Sequence, residues 1–159
     1  MITDDNKIRA VLGAYIQLVR QLYGKFTNAA VPLKGKHREN CLSFYELAIS
    51  SGASLSALMI ACLDYYPPWW CKKIFNREYP NVMILVSEKS RNRGIKNFPK
   101  TLAADAPDAV AQFYADQLKN YGEKIVSGLL INGFLPSEDM RGPVMEILEK
   151  EWAANGAGK

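Results

Sequence analysis

The chain predicts a mainly α-helical fold: a single compact helical domain of about six or seven helices over 1–154, with one short strand or hairpin near Val82 and Val86 and a disordered tail over 155–159. Three observations carry this. Apolar residues recur at three- and four-residue spacing along most of the chain, and Gly and Pro fall where helices would end. The 48% hydrophobic and 23% charged fractions exclude wholesale disorder. At 159 residues the chain is long enough to bury a core without disulfide or metal staples.

Asp4 and Asp5 place negative charge at a helix start, and Ile8, Val11, Leu12, Tyr15, Val19, Leu22, Tyr23 and Phe26 follow as one apolar stripe. Lys7, Arg9, Gln17, Arg20 and Lys25 form the opposite, solvated face. Pro32 and Gly35 interrupt the helical pattern before the cluster Lys34, Lys36, His37 and Arg38. A second helix over 39–50 buries Cys41, Phe44, Leu47 and Ala48 and stops at Gly52, which tolerates a left-handed helix end. Ser54 caps a third over 55–65. The pair is helix-turn-helix-like in spacing. Its second helix, however, offers Leu55, Ala57, Leu58, Met59 and Ile60 where a base-reading helix needs Arg, Lys, Asn or Gln, so it reads as a packed αα-hairpin.

Pro67 and Pro68 open a fourth helix over 69–78, with Trp70, Ile74 and Phe75 inward and Trp69, Lys72, Lys73, Asn76 and Arg77 outward. The five apolar residues 82–86, β-branched at Val82, Ile84 and Val86, favour extended structure. Residues 87–100 show no helical period and contain Gly94 and Pro99, which predicts a basic loop. A small-residue connector over 101–107 leads to Asp108 and a helix marked by Val110, Phe113, Tyr114, Leu118 and Tyr121. Ile125, Val126, Leu129 and Leu130 extend or restart it after Gly122. Gly133 closes that unit, Pro136 and Ser137 begin a turn, and Val144, Ile147, Leu148 and Trp152 line a last helix with acids outside.

No stretch approaches the roughly 18–20 apolar residues a membrane span needs, and the start of the chain lacks a basic signal-peptide region, so a cytoplasmic setting without a membrane partner is expected. Cys41, Cys62 and Cys71 sit among apolar neighbours and read as reduced core thiols. With His37, one helical turn from Cys41, they supply the residue types of a Cys3His zinc site, but Cys62 and Cys71 are too widely spaced to form the close ligand pair such sites use. No metal or cofactor is expected. His37 stands alone, the basic region holds only Glu78 and Glu88 with Asp64 upstream, and the phosphate-loop, dinucleotide, zinc-protease and nucleophile-elbow motifs are missing. No catalytic residue is assigned, and a non-catalytic protein is expected.

Charge is segregated along the chain. Residues 66–100 hold eight Lys/Arg against two acids, net +6, whereas 101–159 hold five against nine, net −4. The basic stretch is interleaved with Tyr66, Trp69, Trp70, Phe75 and Tyr79. Cations offset phosphate charge and flat rings stack on bases, so this pattern suits single-stranded or backbone-directed nucleic-acid binding. Lys72, Lys73, Arg77, Lys89, Arg91, Arg93, Lys96 and Lys100 are expected to hold phosphates, and Trp69 to offer a stacking surface. The function expected is a nucleic-acid-binding module, or an accessory subunit of a nucleoprotein complex, for DNA or RNA. The alternative is a helical assembly or adaptor subunit that joins other subunits, or itself, through exposed aromatics and complementary basic and acidic faces.

Overall fold

Short polar side chains open four of the nine described α-helices, and residues at positive φ close three of them. The computed structural model describes residues 2–96, 98, 107–135 and 137–155. Its elements are α1 (Asp4–Tyr23), α2 (Lys36–Ser51), α3 (Leu55–Leu63), α4 (Pro68–Phe75), α5 (Val82–Leu85), α6 (Glu88–Ile95), α7 (Pro107–Leu118), α8 (Glu123–Ile131), a 3-10 turn (Glu138–Met140) and α9 (Arg141–Asn155). They belong to two compact units, Met1–Pro99 and Lys100–Lys159.

In the first unit Thr3, Ser54, Asn81 and Ser87 cap α1, α3, α5 and α6 by accepting from backbone N–H groups in the first turn. Each such cap contributes about 1 kcal/mol. Gly24 (φ 64°) and Gly52 (φ 69°) end α1 and α2, and Asn76 (φ 60°) ends α4, where an asparagine tolerates the left-handed region. The centre is α3, whose residues from Ala57 to Leu63 are all buried. Around it α1 lays down Ile8, Val11, Leu12, Tyr15, Leu18 and Val19, and α2 adds Cys41, Phe44 and Ala48. Each large side chain so buried is worth about 1.5–3 kcal/mol. Two ion pairs at 2.7 Å, Lys7 with Glu46 and Arg38 with Asp5, join α1 to α2 at the surface.

α2 and α3 bend through 106° at Gly52, the angle of a helix-turn-helix, but α3 is buried from Ala57 to Leu63 and leaves only Leu55 and Ser56 of its first turn partly exposed, too little for a helix that reads a DNA groove. Among the described residues no single helix is long and apolar enough to cross a membrane.

The second unit packs α7, α8 and α9 around Tyr114, Leu118, Val126, Leu129, Phe134, Val144 and Leu148. The Phe134 ring meets Tyr114 edge-on at 5.8 Å, and Trp152 Nε1 donates to the Lys119 carbonyl at 3.4 Å.

Several expectations are corrected. Nine α-helices appear among the described residues instead of six or seven, because short capped turns count separately. Residues 82–85 are helical and no strand appears among the described residues: caps at Asn81 and Ser87 fit one turn between them and outweigh the β-branched preference. The expected basic loop is largely α6. Its buried stripe is Ser90 and Gly94, small enough that no apolar period is visible. Ile74, expected inside, is 55% exposed, and Cys71 takes the inward position on α4. Phe26 lies beyond the left-handed turn at Gly24 and is exposed, covered on one face by Arg20 at 5.1 Å. Asn155, expected in the tail, closes α9, while 156–159 and the connector positions 101–106 lie outside the described residues.

Candidate nucleic-acid interface

The double proline fixes the start of α4 and the left-handed Asn76 ends it after two turns, so Trp69, Lys72 and Lys73 share one exposed side of a short, stiff element. Trp69 is 70% exposed. Its neighbour Trp70 belongs to a ring cluster instead, tilted on Tyr66 at 5.7 Å and edge-on to Phe75 at 5.6 Å.

Beyond Asn76 the chain doubles back, and Arg77 lies over the Tyr79 ring at 5.0 Å. That ring is backed by Tyr23 at 5.1 Å, and the Tyr15 hydroxyl donates to the Pro80 carbonyl at 2.7 Å, which pins the segment to α1. Burial pushes the Tyr15 phenol up to about 12, with the Arg77 cation pulling the other way. Tyr23, Lys25, Lys72, Asn76, Arg77, Glu78 and Tyr79 line a partly open concavity of about 230 Å³. Among the described residues, no carboxylate lies within ion-pair distance of Lys25, Lys72, Lys73 or Arg77.

The remaining sequence-predicted residues lie on or beyond α6. Arg91 Nη1 donates to Asn40 Oδ1 at 3.0 Å and to the Val86 carbonyl at 2.7 Å, tying α6 to α2 and to the end of α5. It lines a second groove with Leu42, Glu46 and Leu47 of α2. Arg93 lies over the Tyr65 ring at 5.6 Å, whereas Lys89 and Lys96 are exposed without an ion pair among the described residues. Lys100 lies outside the described residues. Three of the predicted cations therefore line two separate concavities, Lys72 and Arg77 in one and Arg91 in the other. Lys25 and Tyr23 of the first were not singled out from the sequence. They lie more than forty positions before Lys72, and only the turn at Gly24 brings them alongside.

The zinc reading finds no support in the geometry. Cys41 Sγ is 3.9 Å from His37 Nδ1, but Cys62 donates to the Ser90 carbonyl and Cys71 to the Tyr66 carbonyl. Among the described residues no group of three or more His, Cys, Asp or Glu side chains is gathered to hold a metal. Burial pushes the Cys41 and Cys62 thiols up to about 11 and raises Cys71 as well, which keeps all three protonated and poor as ligands or nucleophiles.

No protein-family model, no curated protein and no solved structure matches this chain.

Proposed function

We propose that the first unit binds nucleic acid without catalysis, along its phosphate backbone and with preference for single strands. The observation that carries this reading is the group Lys25, Lys72, Lys73 and Arg77, unneutralised among the described residues, beside the exposed indole of Trp69. Phosphates displace counterions from such cations, and an exposed ring stacks on any base. A buried α3 argues against sequence reading in the major groove, and burial of the three thiols fits a reducing, cytoplasmic setting. Lys89 and Lys96 extend the positive surface, Arg93 is partly held by Tyr65, and Arg91 serves mainly to fasten α6.

A second reading has one observation in its favour. Trp69 and Ile74 on α4 and Met83 on α5 are exposed apolar groups, which suits docking to another subunit. A titration of single- and double-stranded DNA and RNA at two ionic strengths separates the two. Backbone binding gives a complex that weakens steeply with salt and favours single strands, whereas a chain forming no salt-sensitive complex with any of the four is an assembly subunit instead.

A further inference from the structure

The concavity at Tyr23, Lys25, Lys72, Arg77 and Tyr79 has features that a general backbone-binding surface does not need. We infer that it is a pocket for a phosphomonoester, the terminal phosphate of a nucleic-acid strand, an inference that rests on the proposed function above. Three cations and the single carboxylate of Glu78 line it, leaving two uncompensated positive charges around a partly open concavity. A phosphodiester in mid-strand brings one negative charge, whereas a terminal phosphate brings about 1.5–2 near neutral pH together with three acceptor oxygens. The pocket's charge matches the terminus.

Size points the same way. At about 230 Å³ the space lies below the roughly 300–1,000 Å³ typical of pockets that enclose whole organic ligands, so it suits a phosphate head with its sugar and base outside. One helical turn before Lys72 and Lys73, Trp69 is placed to take the neighbouring base.

Arg77 is already organised for this task. Its guanidinium lies over the Tyr79 ring, which is tilted against Tyr23, and its Nε is buried with no hydrogen-bond partner among the described residues. A guanidinium carried over an aromatic ring still offers N–H groups from its planar fork, the geometry that phosphate accepts best. Lys25 and Lys72 then act as point charges on either side.

The test uses the full chain and three single strands of one sequence, carrying a 5′-phosphate, a 3′-phosphate or hydroxyls at both ends, with a nucleoside 5′-monophosphate as a separate probe. One phosphorylated strand is expected to bind about tenfold more tightly than the hydroxyl strand. That ratio is expected to fall to about one within Arg77→Gln and within Lys25→Ala, and to rise within Glu78→Gln, as removal or addition of pocket charge requires. Lys25 is exposed, so its variant reads the pocket without a folding defect. Equal binding of all three strands overturns the pocket while leaving backbone binding intact. Binding of the monophosphate with no binding of any strand keeps the pocket as a site for free phosphomonoesters and removes the nucleic-acid reading. If neither the monophosphate nor any strand binds, both readings fall.

Discussion

At the scale of single residues, two side chains from the basic stretch are expected to behave in opposite ways. Trp69 is 70% exposed, so Trp69→Ala should leave the unfolding midpoint nearly unchanged while weakening binding to a single strand by about 1–3 kcal/mol. Arg91 is held by Asn40 and the Val86 carbonyl, so Arg91→Ala should cost about 1–3 kcal/mol in urea unfolding and leave strand affinity close to that of the parent chain. A stability loss at Trp69 together with a binding loss at Arg91 would exchange their roles. The sequence distinguishes these two only in part. Trp69 as the outer indole followed from helical spacing after Pro68, but an arginine in a polar run looks free until Asn40, distant in the chain, is seen to accept from it.

At the scale of elements, α6 explains most of what sequence reading missed. A helix is normally recognised by large apolar residues at helical spacing, and here the inward positions are Ser90 and Gly94, pressed against Cys62 of α3. A Cβ on Gly94 would stand 2.4 Å from Cys62 Sγ and 3.4 Å from the Cys62 backbone nitrogen. Gly94→Ala is therefore expected to destabilise by about 1–3 kcal/mol, with part of the loss recovered when Cys62→Ala is added. One turn earlier the Ser90 hydroxyl is buried without a partner among the described residues, so Ser90→Ala should be neutral or stabilising by up to about 1 kcal/mol. Chemical denaturation of the variants checks both signs, and a tolerated Gly94→Ala would show that α6 does not approach α3 this closely. By contrast, α1 was legible from its apolar stripe behind Asp4 and Asp5, and α3 from its apolar run behind the Ser54 cap. The turn at 82–85 was not, since a run of five apolar residues does not reveal whether caps on both sides will wind it.

At the scale of the whole molecule, charge and burial set how the protein responds to solvent. Residues 1–99 carry fourteen Lys/Arg against seven acids, and 100–159 carry six against nine, so the cations that would meet phosphate belong mostly to one unit. Burial holds the Cys41 and Cys62 thiols at about 11, from an ordinary 9.0, and the Tyr15 and Tyr114 phenols at about 12, from 10.0. The folded chain thus binds these protons more tightly than the unfolded chain does. Their contribution is fully present below the unfolded values and is lost as pH rises through the folded ones. The urea midpoint should therefore hold steady up to about pH 8.5 and decline from about pH 9 to 12; a midpoint that rises across that window would contradict the burial of these groups.

The central claim is that unneutralised cations around α4 exchange counterions for phosphates. Its most direct measurement is the slope of log affinity against log salt concentration for a single-stranded oligonucleotide, in the parent chain and in Lys72→Ala/Lys73→Ala. The expected result is a linear fall that becomes shallower by about 1.4 in the double variant, at about 0.7 for each lost phosphate contact. An affinity indifferent to salt, or a slope identical in the two proteins, would contradict it.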